Sequence, residues 1–239
     1  MQTEAGREAL IAAHEAGIDD PKSRRAATEA IGEYRHADAV AVLMERVNDD
    51  SIFVEAAACA ALGDQAMTPQ IIETLVEKAK TAGSGQGQRV RQSAVAALAS
   101  HGVPEALQPA MDLAAYGSSF RVRGTGISAL ATLHGQLDDD AKRDIREFLL
   151  GLADDDMTRH AASAMRALGN TGDTEAIARL QQIAGSARHD DVTSAARDAI
   201  TTIRAGGADS DVLRDLRERL DRLEERYDAA KAERREKGE

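Results

Sequence analysis

The sequence predicts an all-α fold: a right-handed α–α superhelix of about six helix pairs, followed by a C-terminal heptad helix. Three observations predict it. A nine-residue pattern of small and apolar residues recurs six times along the chain. Hydrophobic residues make up 43% of the composition, but aromatics only 3% and tryptophan is absent, so a core must be built from Ala, Leu, Ile and Val. Near the end, leucines alternate at spacings of three and four.

The six windows are residues 23–31, 54–62, 90–98, 122–130, 160–168 and 192–200. Their fifth positions are Ala27, Ala58, Ala94, Gly126, Ala164 and Ala196. Their eighth positions are all alanine, from Ala30 to Ala199, and their ninth are Ile31, Leu62, Leu98, Leu130, Leu168 and Ile200. The fourth is always small, as in Ala26, Ser93 and Thr125. Positions i, i+4, i+7 and i+8 share one face of an α-helix, and small side chains there let a neighbouring helix approach the backbone. Successive ninth positions are 31, 36, 32, 38 and 32 residues apart. Each spacing fits one helix pair.

Each window is therefore the first helix of a pair. The second helices are expected over 39–47, 71–79, 106–113, 145–152 and 176–183, where apolar residues recur at helical spacing. Asp20, Asp50, Ser119, Asp156 and Asp191 precede first helices, where an acceptor side chain satisfies free N–H groups. Pro21 suits a first helical turn. Residues 81–88 read as a loop by composition, and 135–140 lengthen the turn inside the fourth repeat.

The Val-Arg-x-x-Ala-x-x-Ala-Leu pattern of residues 90–98, approximated at 122–130, resembles the HEAT repeat in its short bacterial and archaeal form, which includes the phycobilisome-lyase type. The resemblance spans about residues 5 to 205. Gly124, Gly126 and His160 depart from the pattern and bear on the regularity of their helices. The chain divides into a repeat unit over 1–205 and a C-terminal helix over 206–239.

Both ends are distinctive. Residues 7–14 read as a second helix without its first, so they are either a capping helix or the end of a repeat in a longer protein. At the C-terminus, Leu213, Leu216, Leu220, Leu223 and Tyr227 form a heptad seam, with Asp215–Arg219 and Glu218–Arg222 at i,i+4. Such a helix of about 25 residues is roughly 38 Å long and marginal alone, so it is expected to pack on the last repeat, on a second copy or on a partner.

Charge and motifs narrow the function. The net charge of −11 opposes binding to a phosphate backbone. Basic pairs such as Arg24-Arg25, and the aspartate clusters at 49–50, 138–140, 154–156 and 190–191, read as solvated faces and helix caps. No apolar run is long enough to cross a membrane. Cys59, the one cysteine, lies in an alanine-rich helix and reads as a small buried thiol; a cytoplasmic location is expected. His14-Glu15 begins a zinc-peptidase motif, but position 18 is Ile. HEAT-like iron hydroxylases use repeated His-Glu pairs, whereas this chain has one. His36, His101 and His134 fall near inter-helix turns and are expected to line one edge without metal-ligand spacing. No catalytic residue, metal or cofactor is assigned.

The expected role is an interaction scaffold. In such solenoids second helices line the concave side, and Glu45, Arg46, Gln108, Arg179 and Gln181 are the side chains expected there to meet a protein partner or adjacent domain. Self-association is expected through the C-terminal seam. The two ends also resemble the non-catalytic C-terminal repeat domain of zinc peptidases similar to aminopeptidase N. The alternative is a phycobilisome-lyase-like protein that attaches or chaperones a bilin.

Overall fold

The computed structural model describes residues 19–81, 87–115, 120–155 and 157–206, together with positions 4, 6, 8, 11 and 12. The heptad seam, Ser119, Asp156 and His14-Glu15 lie outside the described residues. The described chain is helical. It runs α1 (Pro21–Gly32), α2 (Ala37–Arg46), α3 (Ile52–Gly63), α4 (Pro69–Thr81), α5 (Gln88–Ser100), α6 (Leu107–Ala114), α7 (Phe120–His134), α8 (Asp139–Gly151), α9 (Thr158–Thr171), α10 (Ile177–Ser186) and α11 over 190–206. No helix among the described residues is long and apolar enough to cross a membrane.

The odd-numbered helices through α11 are the six predicted first helices, and the even-numbered ones are the predicted second helices. First helices pack side by side: α1 on α3, α3 on α5, α5 on α7 and α7 on α9. Second helices also pack against the next first helix: α2 on α3, α4 on α5, α6 on α7 and α8 on α9. The result is a layered solenoid with one continuous apolar core. The predicted ninth positions, including Leu62, Leu98, Leu130 and Leu168, are fully buried, as are Ile71, Leu75, Ile145 and Leu149 from the second helices.

Small residues set how close the first helices come. A Cβ on Gly32 would lie 2.6 Å from the Ala61 Cβ, one on Gly63 2.7 Å from the Ala97 Cβ, and one on Gly169 2.9 Å from the Ala199 Cα. In each contact the residue just after one window meets the eighth-position alanine of the next. This explains the alanine at that position in these three repeats: a larger side chain would push two backbones apart.

Gly126 sits at a different crossing. A Cβ there would run into the α6 backbone, 2.6 Å from the Ala110 carbonyl and closer still to the Ala114 nitrogen. The departure at the fifth position thus seats α6 directly on α7. Helix α7 runs unbroken through both Gly124 and Gly126, and α9 runs unbroken through His160. Gly124 meets nothing within 4 Å, so core packing gives no reason for it.

The helix ends follow local chemistry. Asp20 accepts from the Ser23 N–H at 2.8 Å, and Pro21 opens α1, as predicted. Asp50 does not cap α3; Asp49 instead accepts from the Ser51 N–H, and Asp50 pairs with Arg24. Asp191 already lies inside α11, which starts at 190. Helix α9 ends on Gly172 with φ 69°, a left-handed C-cap that glycine adopts without steric cost.

Candidate interaction surfaces

Ion pairs at the ends of the helix pairs organise the polar contacts among the described residues. At the second window position, Arg24 of α1 donates to Asp49 through Nε (3.0 Å) and Nη2 (2.9 Å). Arg46 reaches the same carboxylate at 3.0 Å. Three repeats on, Arg123 of α7 occupies the equivalent place and is 1% exposed. It forms an ion pair with Asp155, donates through Nε to the Ala114 carbonyl at 3.0 Å and through Nη1 to His160 Nδ1 at 3.1 Å. Because Nδ1 accepts, the neutral His160 ring carries its proton on Nε2.

The second position varies in sign but not in purpose. In the second repeat it is Glu55, which accepts from Lys78 at 2.7 Å; in the third it is Arg91, which donates to Asp112 at 2.9 Å. In all four repeats this residue therefore ties the first helix to the end of its own second helix or to the turn beyond. A further cluster joins His134 (3.0 Å) and Arg146 (2.6 Å) on Asp173.

These contacts correct the expectation of solvated aspartate turns. The Asp49, Asp155 and Asp173 side chains are 5%, 4% and 7% exposed, and Arg24 is likewise inward rather than part of a solvated pair. Burial pushes the Asp49 carboxyl up, but hydrogen bonds from Arg24 and the Ser51 N–H outweigh it and hold the group at about 2. The Arg123 hydrogen bond lowers Asp155 in the same way. Asp173 also ends low, because Arg146 and His134 more than offset its burial.

The second helices present a cavity of about 480 Å³ between α4, α6 and α8, whose lining includes Lys80, Arg91, Gln108, Met111, Asp112 and Asp144. Gln108, predicted from sequence, is in it and donates to Asp112 at 2.8 Å. The other predicted residues are not brought together with it. Glu45 is exposed on α2, and Arg46 is mostly buried on Asp49. Arg179 and Gln181 are exposed on α10, with Arg179 donating to Gln182 at 2.7 Å.

Of the three turn histidines, His36 and His101 line one cavity of about 620 Å³ with Arg35, Asp64 and Gln65, whereas His134 is engaged by Asp173. His101 donates through Nε2 to the Gly63 carbonyl at 2.6 Å, and Gln65 donates to the Gly32 carbonyl at 2.8 Å. Both side chains thus tie the C-terminus of one first helix to that of its neighbour. Among the described residues no group of three His, Cys, Asp or Glu is placed to hold a metal ion. Cys59 is fully buried, and burial, with the Glu55 charge, pushes its thiol up to about 12. That suppresses the reactive thiolate.

Glycine- and alanine-lined contacts between first helices, repeated in register, define a helical-repeat solenoid. Comparison with known proteins specifies the repeat: residues 8–84 match HEAT repeats and residues 161–185 match the PBS lyase HEAT-like repeat, so the chain is built of HEAT-like repeats. No curated protein matches it. Two solved structures of engineered proteins share the fold. One superposes with TM-score 0.54 at 20% identity, over 84% of this chain and 97% of that one. The other has TM-score 0.53 at 20% identity, over 84% and 58%.

Proposed function

We propose that this chain is a non-catalytic scaffold that holds a protein partner or an adjacent domain against its second helices. The observation that carries this reading is the cavity between α4, α6 and α8. Its wall includes the buried Arg91 Nε–H, for which no acceptor exists among the described residues. A buried donor without an acceptor is costly, and beside it the Arg91–Asp112 pair, 22% and 49% exposed, stands within reach of a partner's polar groups. Gln108, Lys80 and Asp144 around it supply further polar contacts and Met111 an adaptable apolar one. In this reading Glu45, Arg179 and Gln181, exposed on other second helices, would add separate polar contacts, and the sequence seam of Leu213, Leu216, Leu220, Leu223 and Tyr227 would serve a partner or a second copy. We place the protein in the cytoplasm, where its single thiol stays reduced.

A photo-crosslinking residue in place of Gln108 tests this reading. In source cells it should yield a discrete adduct that the same residue in place of Thr202 does not. Equal or absent adducts from both would contradict it. A narrower version makes the chain the C-terminal repeat domain of a zinc peptidase similar to aminopeptidase N. An immunoblot of source cells should then show a band far above 25.4 kDa with zinc-dependent peptidase activity, and a band at that mass would exclude it. The PBS lyase HEAT-like match at residues 161–185 favours a second reading, a bilin-handling protein. Mixing with a free bilin at micromolar concentration would then shift its absorbance; an unchanged spectrum would remove that reading.

A further inference from the structure

Charge is distributed unevenly in this acidic chain. Residues 79–137 hold five Lys or Arg and two Asp or Glu, while the rest of the chain holds 25 and 39. The contrast is sharper by helix. The first helices α5, α7 and α9 together carry six arginines and no acidic residue. Two of the six turn inward, Arg91 to Asp112 and Arg123 to Asp155. The other four, Arg89, Arg121, Arg159 and Arg166, are exposed.

Their register places them along the outer side of the solenoid. Arg89 and Arg121 both directly precede the first window position, and Arg159 does so one repeat later. The same position in the second repeat is Phe53, 46% exposed, and the Arg89 guanidinium sits 5.2 Å from its ring centroid. That contact shows that residues at this position meet across neighbouring first helices. Between α5 and α7 runs a groove of about 460 Å³, lined by Ala96, Ser100, Thr125, Thr132 and Gly124, with Arg121 the one charged residue in its wall among the described residues. Gly124, which packs against nothing, has its missing side chain in this groove. A mid-helix glycine costs stability, and keeping the groove open gives this one a reason.

We infer that the outer face of α5, α7 and α9 is a docking surface for an acidic peptide segment of a partner protein. This rests on the scaffold reading and adds a second binding face opposite the second helices. The occupant follows from complementarity: a band of exposed guanidinium groups without a carboxylate on its three helices attracts negative charge, and the surrounding acidic surface repels it elsewhere. Exposed Phe53 and the small-residue groove take the apolar part of the segment. Phosphate polymers and anionic membranes would share the charge, but the groove floor of Ala, Ser and Thr fits a peptide better than a base or an acyl chain.

Fluorescence anisotropy with the full chain tests this, using a fluorescein-labelled peptide of alternating Glu and Leu. Oligothymidine and phosphatidylserine vesicles serve as competing probes. The peptide should bind, more weakly as salt rises. Arg89→Glu with Arg121→Glu should weaken it at least tenfold. Arg35→Glu with Arg188→Glu, the same charge change in two turns, should leave it within twofold. Gly124→Leu fills the groove without changing charge and should weaken binding about fivefold with no loss of melting temperature. Equal loss in the two charge pairs, an unaffected Arg89/Arg121 variant, or tighter binding of either competing probe would each overturn the inference. Peptide binding lost instead on Lys80→Glu would overturn this face while leaving the scaffold reading in place.

Discussion

Two junctions in the solenoid put arginine at the same window position yet bury it differently. Arg24 retains 11% of its side-chain exposure, and one of its partners, Asp50, is 86% exposed. Arg123 retains 1% and is enclosed by Asp155, His160 and the Ala114 carbonyl. Among the described residues the difference lies in the partners: Arg123 is held by a buried acid, a histidine ring and a carbonyl, whereas Arg24 shares its charge with an acid that stands in water. The lesson is that one sequence position can carry an inward ion pair that still shares an exposed partner or one that is fully enclosed, depending on its neighbours.

Substitutions should separate the two. Arg123→Ala leaves Asp155 buried without its partner and should cost about 3–5 kcal/mol in denaturant unfolding. Gly126→Ala, which drives a methyl into the α6 backbone, should cost about 3 kcal/mol. Arg24→Ala should cost less than Arg123→Ala, about 2 kcal/mol, because Asp50 is already in water and Arg46 remains on Asp49. Equal losses at the two arginines would break the comparison.

Acid should sharpen it. The Asp49 carboxyl is held at about 2, below its unfolded value, so its contribution is complete above about pH 4 and is lost as pH falls through the folded value. The shift corresponds to about 2 kcal/mol. Melting temperatures from pH 7 to pH 2 should therefore drop most steeply below about pH 4. Asp49→Asn should flatten part of that drop while lowering stability at neutral pH. The smallest effect has the opposite sign: Gly124→Ala should gain about 0.5–1 kcal/mol, since the new methyl meets nothing and the helix gains propensity.

The repeat was legible from its small and apolar positions, because helix periodicity and close approach act locally on residues three and four apart. The caps were only partly legible: Asp20 is one, whereas α3 follows Ser51 without a side-chain cap and Asp50 turns to Arg24 instead. The ion pairs were not legible. Arg24 meets an acid 25 residues away and Arg123 one 32 residues away, and local pattern does not say which turn acid faces inward. Glu55 with Lys78 shows why: the pairing persists while its sign reverses. One signal was available and went unused. Gly32, Gly63 and Gly169 all directly follow a window's ninth residue, the place where backbones meet. Of the predicted binding residues, Gln108 falls in a formed cavity, whereas Arg46 is engaged by Asp49.

The most direct test is a pair of double-mutant cycles, Arg123→Ala with Asp155→Ala and Arg24→Ala with Asp49→Ala, read by urea unfolding. If the two junctions differ as described, the Arg123–Asp155 pair will couple by about 2 kcal/mol or more and the Arg24–Asp49 pair by clearly less. Additive losses at Arg123 and Asp155, or equal coupling at the two junctions, would contradict the account.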